Sequence, residues 1–95
     1  MKQSLDAHFK ISDKVCYFQG CFDKFTIPNL WKKLQPALQA TPANVVNLSE
    51  VEECDSALIA LLVEIKKQQY DLNITAIPEN LEQLLDLYQV KTLLS

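Results

Sequence analysis

At 95 residues with 48% apolar content and no low-complexity stretch, the chain reads as one globular domain, residues 1–95, able to bury about 60–65% of its unfolded surface. Its formal charge of −3 comes from 12 acidic and 9 basic residues spread along the chain, with no Lys/Arg cluster among aromatic residues, which argues against nucleic acid as a partner. The start of the chain lacks the apolar run of a secretory signal, and the longest apolar stretch, 57–63, is far short of the ~20 residues that span a bilayer. The expectation is a cytoplasmic, soluble domain without direct membrane insertion.

Residues 4–12 alternate, with Leu5, Ala7, Phe9 and Ile11 on one face and Asp6, His8 and Lys10 on the other, as a half-buried strand does. Ser12, Asp13 and Lys14 make a tight connection into a second, antiparallel strand over 15–20. Gly20, the single glycine, is expected to end that strand where the backbone turns. Thr26 is placed to cap a helix with Pro28 in its first turn. Ile27, Leu30, Trp31, Leu34 and Leu38 form the apolar face of that helix, and Pro36 should kink or end it near Gln35. A polar break over 40–44 leads to a short apolar strand, 45–48, of the kind covered on both faces by crossover connections. Glu50, Glu52 and Glu53 then form a solvated loop face.

The helix that follows, ending near Gln69, is apolar on more than one side. Leu58, Leu61, Leu62 and Ile65 keep i, i+3, i+4, i+7 spacing and are assigned to the core. Ser56, Ile59, Ala60, Val63 and Lys67 fall on the other side. An apolar stripe turned to solvent marks a contact surface, so this stripe, with Asp55 before it, is the candidate partner-binding site. Residues 72–77 alternate again, and Pro78 and Glu79 open a last helix with Leu81, Leu84, Leu85 and Tyr88 inward. The order strand, strand, helix, strand, helix, strand, helix gives an α/β fold. Its mixed sheet of four to five strands, antiparallel at the first hairpin and parallel afterward, packs with three or more helices.

Chemistry is hard to find in this chain. One glycine cannot build a phosphate-cradling loop, and His8, the single histidine, sits on a strand face with Asp6 and Lys10, so no cofactor and no metal is expected. Cys16, Cys21 and Cys54 are odd in number and lie in apolar neighbourhoods, which reads as reduced, buried thiols. Asn47 and Asn73 open Asn-x-Ser/Thr triplets that fall inside strands and carry no meaning in a cytosolic chain. Cys54 before a helix N-terminus suggests a small hydrolase, yet no base or oxyanion donor accompanies it. The simpler reading is that Asp55 or Ser56 accepts the free N–H groups of the helix starting there. No enzyme is expected.

Three short motifs, in order, point further. Gly20-Cys21-Phe22-Asp23 stands where the STAS domain, the fold of bacterial anti-sigma-factor antagonists, has Gly-Glu-Leu-Asp; Asn47-Leu48-Ser49 stands at its Asp-Leu-Ser; and Asp55-Ser56 stands at its Asp-Ser-Ser-Gly-Leu. The chain resembles that family over nearly its whole length. Leu30-Trp31, Asn47-Leu48-Ser49, Ala60-Leu61-Leu62 and Leu87-Tyr88 resemble in particular the small STAS subunits of bacterial phospholipid ABC transporters. The resemblance implies a non-catalytic cytoplasmic subunit that binds the transporter's ATPase within a complex holding a membrane permease. It also implies that the hydroxyl residue after the Asp, Ser56 here, lies at that contact. The alternative is a kinase-controlled antagonist. In such antagonists the phosphoacceptor is the second Ser after the Asp; Ala57 stands there and has no hydroxyl to modify.

Overall fold

The computed structural model describes residues 6–69 and 71–88. The elements are β1 (Ala7–Ser12), β2 (Val15–Phe22), α1 (Ile27–Ala40), β3 (Val45–Cys54), α2 (Ser56–Gln68), β4 (Asn73–Thr75) and α3 (Glu79–Tyr88). This is the expected α/β order, with one four-stranded sheet ordered β1-β2-β3-β4. The first pair is antiparallel and the other two are parallel. Ser4 and Leu5, assigned to the first strand, and the side chain of Tyr88 lie outside the described residues.

The β1–β2 loop has two residues, Asp13 and Lys14, at φ 52° and 66°, joining the pair Ser12 and Val15. Positive φ at both central positions gives the type I′ hand that matches the twist of the flanking strands, although the usual Asn-Gly is missing. Along β1, Ala7, Phe9 and Ile11 pack toward the core while His8, Lys10 and Ser12 stay exposed, as the alternation requires.

Gly20 does not end β2. The strand continues to Phe22, and Gly20, at φ +98°, sits inside it where an added Cβ would run into the carbonyl oxygen of Asp6. The glycine permits a close approach of two strands, not a turn.

β3 is also longer than the expected 45–48. The acidic stretch belongs to it, paired with the second half of β2, so Glu50, Glu52 and Glu53 lie on a strand and still face water. The register passes from Tyr17↔Asn47 to Gln19↔Glu50, and from Gly20↔Val51 to Cys21↔Glu53. Each step leaves β3 one residue in excess, a bulge that twists the strand and breaks its inward alternation. Within the first, Asn47 Oδ1 accepts the Ser49 N–H at 2.8 Å, satisfying a donor beside the break in the ladder.

Among the described residues the helices cover one face of the sheet, not two. The strand order advances steadily, so right-handed β2-α1-β3 and β3-α2-β4 crossovers must place both helices on the same side. On that side Cys16, Phe18, Phe22, Val46 and Leu48 meet Leu30 and Leu34 of α1, the inner residues of α2, and Leu81 and Leu85 of α3. The rings of Phe18 and Phe22 stack with centroids 4.8 Å apart. Each such fully buried side chain contributes about 1.5–3 kcal/mol. On the opposite face His8, Lys10, Tyr17, Gln19, Asn47 and Thr75 remain partly or fully exposed.

Two expectations for α1 change. Thr26 holds the N-cap position but makes no side-chain cap hydrogen bond; Asp23 caps the turn that leads into the helix. Asp23 Oδ1 accepts the N–H groups of Phe25 and Thr26 at 2.8 and 3.0 Å, while Thr26 Oγ1 accepts the Asp23 N–H at 3.0 Å, a reciprocal pair of the capping-box kind. Nor does the helix end near Gln35: it runs through Pro36 to Ala40. Pro36 is exposed, so the carbonyl it leaves unpaired one turn back can turn to water.

Candidate functional site

Helix α2 starts on the side chain of Asp55, whose Oδ1 accepts the Ala57 N–H at 2.8 Å. Asp55 is therefore the cap and Ser56 is not; the Ser56 side chain is exposed and makes no hydrogen bond with a described residue. From that start, Leu58, Leu61, Leu62 and Ile65 are buried, as expected of the core stripe.

The outer stripe needs correction at Ile59. Its side chain is 6% exposed and belongs to the core, and Val63 is half-buried against the same core. α2 lies between two helices, since it packs with both α1 and α3. At 100° per residue Ile59 stands on the flank opposite Ala57 and Glu64, which face α1, so Ile59 and Val63 fall on the flank toward α3. A helix wedged in this way buries a sector wider than one stripe. What remains turned to solvent is Ser56, Ala60, Glu64, Lys67 and Gln68. The Lys67–Glu64 pair, 4.0 Å apart and well exposed, contributes little.

Beside this narrow ridge the structure places something the sequence did not reveal. Ile27, Pro28 and Trp31 of α1 face Ala57, Ala60 and Leu61 of α2 across an apolar groove of about 400 Å³, with Lys24 and Glu64 also lining it. Ala57 and Ala60 have short side chains, and their size leaves the room. Ile27 and Trp31 had been assigned to the core face of α1; both are only half-buried, because the crossing of the two helices leaves their outer edges open. The small-residue pair on the flank of α2 and the i, i+4 pair on α1 were the available signals, but nothing in the chain order says which flanks meet.

The thiols behave as structural groups. Burial pushes Cys16 up to about 12 from 9.0. Cys21 is pushed to about 11, by burial first and then by its hydrogen bond to Asp23 Oδ2 at 3.3 Å. Cys54 is half-buried, less than expected, and accepts a hydrogen bond from Asn80 Nδ2 at 3.5 Å. Its pKa too is raised, by burial and then by the Asp55 charge, while the Asn80 contact opposes the shift. A thiol raised above its ordinary value is the reverse of an activated nucleophile, which the hydrolase reading needs. The sign of the linkage follows. Raised folded-state pKa values stabilise the fold fully below pH 9, and that stability is lost as pH climbs toward 12. Urea unfolding midpoints are accordingly expected to hold up to pH 9 and fall above it, and a Cys16→Ala/Cys21→Ala variant should show a flatter decline.

His8 is exposed, and among the described residues no group of three or more His, Cys, Asp and Glu is arranged to hold a metal ion. Asn47 and Asn73 lie on β3 and β4. Of the described helices, none is long and apolar enough to cross a membrane.

With this arrangement in place, the chain can be compared with known proteins. A family model described as "Mlab, STAS domain" matches residues 13–95. No curated protein matches the chain.

Proposed function

The chain belongs to the STAS domain family and resembles MlaB, and from that premise we propose that it is a non-catalytic subunit docking on the ATPase of a phospholipid ABC transporter. In this reading it supports assembly or activity of a Mla-type complex that includes a membrane permease and maintains outer-membrane lipid asymmetry. The protein would work in the cytoplasm, held to the inner membrane only through that complex.

The observation that carries the reading is the apolar groove between α1 and α2, lined also by Lys24 and Glu64, with Ser56 and Lys67 exposed elsewhere on α2. Its lining holds no nucleophile beside a base. It suits an inserted apolar side chain of a protein partner, with the Lys24 ammonium and the Glu64 carboxylate beside it to fix orientation. Within the proposed contact Asp55 holds the N-terminus of α2 in place, Ser56, Ala60 and Lys67 touch the ATPase, and Val63 offers its open edge. Ile59 supports the helix from inside. The antagonist alternative is disfavoured: Ala57 has no hydroxyl and is itself partly covered in the groove.

Ala60→Glu tests the contact. The side chain points to water in the free domain, so its melting temperature should not change. Against a partner, the same carboxylate loses its hydration without gaining a hydrogen bond, and co-purification with the ATPase should weaken at least tenfold. Wild-type binding by this variant would place the docking surface elsewhere.

A further inference from the structure

Among the described residues β1 is an outer strand of the sheet, six residues long, without proline or bulge. Cys21 donates its N–H to the Asp6 carbonyl at 3.1 Å, and antiparallel pairing alternates. The backbone groups of Asp6, His8, Lys10 and Ser12 thus turn toward β2, and those of Ala7, Phe9 and Ile11 turn outward. Among the described residues nothing pairs with the outward set. Such an edge is a template for another strand.

Two further features qualify this edge. Between β1 and α1 lies a hollow of about 520 Å³ lined in part by Ala7, Phe9, Leu30 and Phe25. Phe25 is 77% exposed, the most exposed large apolar side chain described. The second feature is the charge pattern on the open face of the strand. Asp6 and Lys10 stand symmetrically about His8, all three are exposed, and neither Asp6 nor Lys10 forms an ion pair with a described residue. Laid antiparallel on its own copy with His8 opposite His8, the strand sets Asp6 against Lys10 twice. The same register sets Ala7 against Phe9, matching their outward backbone groups as hydrogen-bonded pairs. Centring on Phe9 instead would bring His8 against Lys10, and centring on Lys10 would oppose two ammonium groups.

We infer that a second copy of this chain docks along β1 in that register, joining two sheets into one across a two-fold axis at His8. The dimer is isologous, so each contact occurs twice. It covers both hollows and both Phe25 side chains, and it leaves the α1–α2 groove free.

Sedimentation equilibrium of the full chain from micromolar to millimolar concentration tests this. A reversible dimer is expected. Asp6→Lys and Lys10→Glu each turn two attractions into two repulsions and should weaken it about tenfold. The double variant Asp6→Lys/Lys10→Glu restores opposite charges and should dimerise like the wild type. Both positions are exposed, so the fold is spared, which circular dichroism confirms. A chain that stays monomeric to millimolar concentration overturns the inference. So does a dimer indifferent to the single reversals, or a double variant as weak as the singles.

Discussion

Ile59→Glu is expected to remove a large share of the domain's stability at neutral pH, whereas Ala60→Glu, at the next position, leaves it nearly unchanged. Ile59 is 6% exposed, so the change forfeits about 1.5–3 kcal/mol of apolar burial and takes a carboxylate out of water with no partner. Together these cost on the order of 4 kcal/mol, against a total of about 5–15 kcal/mol for an ordinary domain. Burial would hold the new carboxyl above its ordinary value, so the variant should suffer least at acid pH and more as pH rises toward neutrality. Urea titrations of both variants at pH 5 and pH 7 measure this. An Ile59→Glu domain as stable as the wild type would mean that the flank of α2 toward α3 is open.

Gly20→Ala should destabilise the domain on the order of 3 kcal/mol, far beyond the ordinary effect of such an exchange in a strand. Two causes act together. At φ +98° an L-residue is strained, and the new methyl group would press on the Asp6 carbonyl, backbone that cannot rotate away as a side chain could. Relief requires the end of β1 to move off β2 and stretch the Cys21 N–H to Asp6 bond. The predicted signature is a lowered melting temperature with faster amide exchange at Cys21. A near-neutral Gly20→Ala would show that the strand ends separate freely.

The order of elements, the antiparallel hairpin, the parallel remainder and a cap at Asp55 or Ser56 were all readable from the chain. Each depends on neighbours a few residues apart: period-two alternation from Ala7 to Ile11, the i, i+3, i+4 spacing of Leu58, Leu61 and Leu62, a carboxylate before a helix. The misreadings share a different cause. Thr26 looks like a cap, but its hydroxyl is engaged by the Cys21 carbonyl and the Asp23 N–H of the preceding turn, and residues 49–53 look like a loop because two bulges erase the alternation that marks a strand. Gly20 reads as a turn because the group it makes room for, the Asp6 carbonyl just before β1, is distant in the chain.

For the candidate site the division is similar. Ser56, Ala60 and Lys67 were placed on the solvent side of α2 by helical periodicity, and they are there. Periodicity locates the centre of a buried face but not its width, which the number of flanking helices sets; α1 and α3 on either side of α2 drew Ile59 inside. The same packing, through the shared hand of two crossovers, put both helices on one face of the sheet and opened the groove between Trp31 and Ala60. By itself the sequence determined which residues are apolar and at what spacing, and so the elements and their order. Which flanks meet, and hence which apolar residues stay exposed to a partner, is decided only by how the helices lie across the sheet.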